Sequence, residues 1–392
     1  MKNGCFLFLL LLCCACGSSR YWYAGTVTYA DLRQELPFEY IFNELFVTVQ
    51  LDGNDYRFIV DTGAPTVIDQ RVQEIHRFEV NKVANVNDSQ GNSKKQDYVA
   101  LPLLTCGGLT AVSTNAIVSD FSAFTCMNID GILGANVMRQ YDWEIDYEDE
   151  VFRLYTPEES ATRAADFPIA FPFVPKSTGT PSVAVTIGDE VIRPVTFDTG
   201  STGTITLPSR RVADPATYLD EMKFYGLGTR GLFGRHLDTA RYVLTHRLLL
   251  GNTPIDTTRI YLPNSRKALM GNEFLDDYRV LVRWSTQTIH LLPVAEVSDQ
   301  LPTRLHAFSW ENDTLRYSRG TLHDPLVDWP VNSVVTALGN RSVLPISEQD
   351  YCALSLDSLL LISVRLPNGQ ERRRAFDKQE ITFGGIREDA KE

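Results

Sequence analysis

The sequence predicts a mostly β protein: two tandem β units related by a pseudo-twofold axis, followed by a small α+β unit. Three observations carry that prediction. The triplet Asp-Thr-Gly occurs twice, at Asp61-Thr62-Gly63 and Asp198-Thr199-Gly200. Each copy closes an apolar, β-rich run, Phe58-Ile59-Val60 in one case and Val195-Thr196-Phe197 in the other. Each is followed by an apolar pair closed by glycine, Ile132-Leu133-Gly134 and Leu269-Met270-Gly271, and the spacing from Asp to Gly is 73 residues in both (134 − 61 and 271 − 198). One triplet is weak evidence, because ordinary turns produce it. Two copies in matching frames are a repeat, and a repeat that presents two carboxylates points to a catalytic pair.

The elements follow in order. Phe46 to Leu51 alternates apolar and polar residues, then turns at Asp52-Gly53-Asn54; Ser182 to Ile187 does the same before Gly188-Asp189-Glu190. Both segments predict hairpins that lead into the Asp-bearing turn. Past the second marker each unit continues with a short helical stretch, Asn136 to Gln140 and Asn272 to Asp276, and a final strand ending at Pro157 or Pro293. The units therefore span residues 39–158 and 168–296, a normal domain size, with 159–167 as a linker. Residues 300–392 lie outside the repeat. They predict a strand at Ser333 to Leu338, a helix at Ser347 to Leu354, and a hairpin of Leu360 to Arg365 with Arg373 to Phe376 around Pro367-Asn368-Gly369.

The paired Asp-Thr-Gly turns and their downstream glycine frames resemble the retropepsin-like aspartic protease family. That resemblance implies two tandem β-barrel lobes in one chain, each supplying one turn to a shared site. Asp61 and Asp198 are then the catalytic pair, with Thr62, Gly63, Ala64, Thr199, Gly200 and Ser201 as turn support, and the substrate is a polypeptide. No cofactor and no metal is implied. The family also covers its substrate with mobile hairpins; the candidates are Val86 to Ser93 and Tyr225 to Gly231, with Tyr225 a candidate flap aromatic. The order of elements in 300–392 resembles the latter two-thirds of a PDZ domain. A glycine-rich carboxylate-binding loop is not evident near Tyr317 to Gly320, so a bracing role stands beside peptide capture.

The chemistry of the residues agrees. Glycine after Asp-Thr permits a close backbone approach that a Cβ would obstruct. Two carboxylates ~3 Å apart, at an effective dielectric of ~20, repel by about 5 kcal/mol, or about four pKa units. Only one should ionise at moderate pH, so the pair shares a proton. The position after glycine differs, Ala64 against Ser201. A serine hydroxyl donating to its own carboxylate would favour the charged form, which predicts the charge on Asp198 and the proton on Asp61. Both triplets are intact; the alternative is a surface-anchored peptide-binding protein that keeps this fold without hydrolysis.

Residues 1–16 have the layout of a signal peptide: a basic start, the apolar run Phe6 to Leu12, then Cys13-Cys14-Ala15-Cys16. A cysteine after a small residue, with Gly17-Ser18-Ser19 behind it, resembles a bacterial lipoprotein signal. That implies lipidation of Cys16, with Cys14 as the alternative acceptor, and residues 17–38 as a tether. The expected location is the bacterial cell envelope, with the lipid anchor as the membrane partner. Of seven cysteines, Cys106, Cys126 and Cys352 fall in the mature body. Either Cys106 pairs with Cys126 and leaves Cys352 alone, or all three are reduced and buried. A net charge of −12 with 22% charged residues argues against nucleic acid as a partner. Arg372-Arg373-Arg374 is a solvated strand face, and the six histidines show no metal-ligand spacing. The expected particle is a monomer whose lobes pair within the chain.

Overall fold

The computed structural model describes residues 21–384 except 23–24, 31–34, 125, 213, 229–230, 235, 267, 295–299, 302–305, 323, 325–328 and 355–358. The expected signal segment, Cys14 and Cys16 lie outside the described residues. The described residues are mostly β, 54% strand against 12% helix. No helix among the described residues is long and apolar enough to cross a membrane.

In the first half, strands Glu44–Leu51 and Asn54–Asp61 pair antiparallel, from Phe46↔Ile59 to Leu51↔Asn54. Val47, Val49 and Leu51 point into the core while Thr48 and Gln50 face solvent, the two-residue period of a half-buried strand. Gly131–Gly134 runs parallel to the Asp-bearing strand and sets Gly134 opposite Asp61. A Cβ on Gly134 would stand 2.1 Å from the carbonyl carbon of Pro65, so only glycine admits this approach. The second half repeats the arrangement: Pro181–Ile187 pairs with Glu190–Phe197, and Leu269–Met270 lies parallel to its end, Phe197↔Met270. The short helices after these glycine frames are single turns, Ala135–Met138 and Asn272–Leu275.

A six-stranded sheet joins the halves, with Asp142–Asp146 antiparallel to Tyr278–Arg283 through Trp143↔Val282 and Ile145↔Val280. One apolar core passes beneath it, combining Phe58, Leu133, Trp143 and Phe152 with Phe197, Met270, Phe274 and Val280. The expected linker 159–167 is instead largely helical. The preceding strand stops at Tyr155, and Thr156 with Glu159 forms a capping box that opens helix Pro157–Arg163 with proline in its first turn. A single turn, Ala164–Asp166, extends it. The helix is held to the joining sheet, because Ser160 donates to Asp142 at 2.6 Å and Arg163 donates to Glu144 at 2.7 and 2.9 Å.

The C-terminal unit has its own core of Phe308, Tyr317, Trp329, Tyr351, Ile362 and Phe376. The expected hairpin forms with Arg365 opposite Glu371. Arg372 and Arg373 are exposed there, while half-buried Arg374 donates to Asp324 at 2.7 Å. Strand Thr314–Thr321 of this unit pairs with strand Asp220–Leu227 of the second half, Tyr225 lying opposite Gly320.

The cysteine expectation is corrected: Cys126 is bonded to Cys352, and Cys106 is the free thiol. Cys106 ends strand Ser93–Cys106 pointing inward, 1% exposed, out of reach of a partner. Cys126 sits in the loop between two strands and packs on the C-terminal core instead.

Candidate active site

Asp61 ends one strand and Asp198 follows its counterpart, and the two turns meet face to face. The threonines make the joint. Thr62 N donates to Thr199 Oγ1 at 3.0 Å and Thr199 N donates to Thr62 Oγ1 at 3.1 Å. Each hydroxyl then donates across the axis, Thr62 to Phe197 O at 2.8 Å and Thr199 to Val60 O at 2.9 Å. Both threonines are fully buried, so every polar atom needs these partners. The glycines admit the approach. A Cβ on Gly63 would lie 2.3 Å from Asp198 Oδ1, and one on Gly200 would lie 2.4 Å from Asp61 Oδ2.

The two carboxyls are hydrogen-bonded to each other. Asp61 Oδ1 also accepts from Gly63 N at 2.6 Å and Ala64 N at 3.1 Å. Asp198 Oδ1 accepts from Gly200 N at 3.2 Å. Burial raises the pKa of Asp61, and the bonds from Asp198, Gly63, Ala64 and Gly200 oppose that rise. Burial, followed by the charge of Asp61 and the bond to it, pushes Asp198 well above the usual carboxylate range. The backbone donors thus favour a charge on Asp61 over one on Asp198, whereas the sequence expectation rested on a serine hydroxyl at Asp198. The reason lies in the backbone: the tighter Asp61 turn supplies two N–H donors to one oxygen. Ser201 looks elsewhere, its Oγ lying 2.8 Å from where a Gly271 Cβ would stand.

Several supporting residues escaped the sequence. Asn272 Nδ2 donates to both Thr199 O at 2.8 Å and Asn43 O at 2.7 Å, and its Oδ1 accepts from Tyr147 at 2.9 Å. Its counterpart Asn136 accepts from Thr66 N and Oγ1, at 2.7 and 2.9 Å. An asparagine opening each short helical stretch was a visible signal in the repeat. Asn43 Nδ2 reaches Thr202 O at 3.1 Å, and Thr180 Oγ1 reaches Gly63 O at 3.3 Å, so each lobe braces the other lobe's turn. Lys176 stands near the pair; burial lowers its pKa while Asp198 raises it. Glu44 is a third buried acid beside the pair. Nothing in the sequence singled it out, because an acid ahead of a strand is ordinarily solvated.

Of the candidate flaps, Val86 to Ser93 is the tip of the hairpin formed by Val80–Asn87 and Ser93–Cys106. Tyr225 to Gly231 begins inside strand Asp220–Leu227, and Tyr225 is 42% exposed there. The two tips touch. Asp88 accepts from Gln90 N and Asn92 N at 2.9 and 2.8 Å and, from the other half, Phe233 N at 2.9 Å. His236 Nε2 bonds Asn92 Oδ1 at 2.9 Å.

Residues 47–137, which carry the first turn and its glycine frame, match the family model described as aspartyl protease. Among curated proteins none matches the chain.

Proposed function

We propose that this chain is an aspartic endopeptidase in which Asp61 and Asp198 together activate a water molecule. The observation that supports this best is the reciprocal Thr62–Thr199 lock, which holds two buried carboxyls in mutual hydrogen-bond contact. Ionised Asp61 takes a proton from the water as its oxygen attacks the scissile carbonyl, and neutral Asp198 donates its proton to the carbonyl oxygen. Asp61 then passes its proton to the leaving amine, and Asp198 recovers one from the diol. The touching hairpin tips would roof a bound peptide and exclude water. Lipidation at Cys16 would hold the enzyme on the bacterial cell envelope, as a monomer with intramolecular lobe pairing and the C-terminal unit as a brace.

The test is cleavage of an unfolded protein substrate between pH 4 and pH 7, with and without pepstatin. Asp61→Asn and Asp198→Asn are each expected to abolish pepstatin-sensitive activity. Activity surviving in either variant would mean that the turns do not form one site. Substrate binding by a wild-type chain that never cleaves would favour the silent peptide-binding protein.

A further inference from the structure

The sheet face onto which Asp61 opens carries its own apolar cluster. Side chains two apart on a strand share a face. Ile59 therefore lies on the face of Asp61, and Ile132, opposite it, on the face of Gly134. Ile59 and Ile132 join Val67, Ile117 and Tyr98 in this cluster, whereas Phe58, Val60 and Leu133, on the other face, belong to the main core. Ala64, whose N–H donates to Asp61, packs on the cluster from the turn. Val86 and Leu232 pack on it from the two hairpins whose tips touch. The cluster thus runs from the Asp61 turn to the roof and forms an apolar wall of the cleft.

A segment from outside the repeat sits against this wall. Trp22 is only 9% exposed and belongs to the cluster, and Tyr21 packs on it. Each ring lies 5.7 Å from Tyr98 of the first hairpin, and the two lie 5.1 Å from each other. Lys82 Nζ stands over Tyr21 and Tyr98 at 5.3 and 4.9 Å. Side chains hold the main chain of the pair: Asn115 Nδ2 donates to Tyr21 O, and Arg139 donates to Trp22 O. Among the described residues, strand pairing of this segment begins at Thr26, opposite Val112. The repeat holds no second such segment. Positions 158 and 159, 137 residues on (198 − 61), fall in helix Pro157–Arg163, which is held to the joining sheet. Tyr21 and Trp22 are thus an addition to the repeated unit, seated as a bound peptide would be.

We propose that Tyr21–Trp22 is a built-in occupant of the substrate cleft, an autoinhibitory segment that a polypeptide substrate has to displace. This deepens the endopeptidase reading above and rests on it. The seat suits its occupant: an aliphatic wall and an aromatic neighbour for the rings, an ammonium over them, and one side-chain donor for each of two successive carbonyls. A substrate strand lying between the Asp61 turn and the touching tips needs the same wall. Leaving the seat returns two large rings to water, so the open cleft is the minor state. Apparent substrate affinity falls by the fraction of molecules in which the cleft is open. The seat also adjoins the Asp61 turn through hydrogen bonds. Asn115 O accepts from Asn136 at 3.0 Å, and Asn136 in turn accepts from Thr66 N at 2.7 Å.

The experiment measures kcat and KM on an unfolded protein substrate for three full-length proteins. They are the wild type, the double variant Tyr21→Ala/Trp22→Ala, and Asn115→Ala, which keeps both rings and removes one carbonyl donor. An occupant seated about nine-tenths of the time raises KM about tenfold. The double variant is therefore expected to show a KM about tenfold lower, with kcat within about twofold of the wild type, and Asn115→Ala a KM between the two. The synthetic peptide Ser-Ser-Arg-Tyr-Trp-Tyr-Ala-Gly, residues 18–25, supplies a readout apart from cleavage. By calorimetry it should bind the double variant about tenfold more tightly than the wild type, and it should inhibit the double variant competitively. A merely structural segment would instead raise KM or lower kcat in the variants along with their melting temperature. That result, or an unchanged KM, overturns the proposal. So does peptide binding that leaves cleavage untouched, because the seat then lies outside the cleft. If the double variant does not fold, a KM for Asn115→Ala no lower than that of the wild type overturns it. The expected difference in peptide binding among proteins that never cleave upholds the occupant and defeats the endopeptidase reading instead.

Discussion

At the scale of single residues, the site is governed by atoms that are missing. Gly63 and Gly200 stand where a Cβ would drive into the opposite carboxyl, at 2.3 and 2.4 Å. Neither neighbour can yield, because each carboxyl is held by the other and by its own turn. Gly63→Ala is thus expected to part the turns, costing about 1–3 kcal/mol of stability from overpacking and at least roughly 100-fold in kcat/KM, since a misplacement of ~1 Å suffices for that. Chemical unfolding and steady-state kinetics on one preparation check both. The opposite outcome is expected at Ser201. Its hydroxyl lies toward Gly271, and Asp61 already has the better backbone donors. Ser201→Ala should leave the acid limb of the pH–rate profile within about 0.3 units of the wild type; a larger upward shift would return the charge to Asp198.

At the scale of elements, the hairpins and glycine frames were legible because local rules write them: alternation, turn residues and a repeated spacing. Phe46 to Leu51 and Ser182 to Ile187 became strands as the pattern required. The helix Pro157–Arg163 is announced only by its capping box, Thr156 with Glu159; Ser160 is its one buried residue, so no apolar period marks it. What alternation cannot show is contact between distant elements. Asp88, in an ordinary polar turn, is 5% exposed because Phe233 N reaches it from the other half. Removing that carboxylate by Asp88→Ala frees three backbone donors. Closure over substrate should weaken by about 1–2 kcal/mol, a rise in KM of roughly 5–30-fold with kcat changed less. A fall in kcat at constant KM would show that this tip contact does not serve closure.

For the whole molecule, the C-terminal unit touches both halves by different means. Cys126–Cys352 ties it covalently to the first half. Backbone pairing of Thr314–Thr321 with Asp220–Leu227, extended by Leu322 N donating to Lys223 O at 2.9 Å, ties it to the second. That paired strand leads into the loop whose Phe233 and His236 meet the first half's hairpin tip. The route is closed: first half, disulfide, C-terminal unit, second-half hairpin, and back to the first half. Cysteine spacing could not reveal it, since a bond across 226 residues depends on how separately packed cores dock. Opening the ring at its covalent link should loosen every later step. Cys352→Ser, or reduction of the wild type, is expected to cost about 2–5 kcal/mol, the range for removing a long-loop disulfide. KM should rise with it, because the second hairpin loses its anchored neighbour. Buried Cys106 gives the control: Cys106→Ser should leave the response to reductant intact. A reduced protein with unchanged melting temperature and KM would mean that the strand pairing alone seats the C-terminal unit.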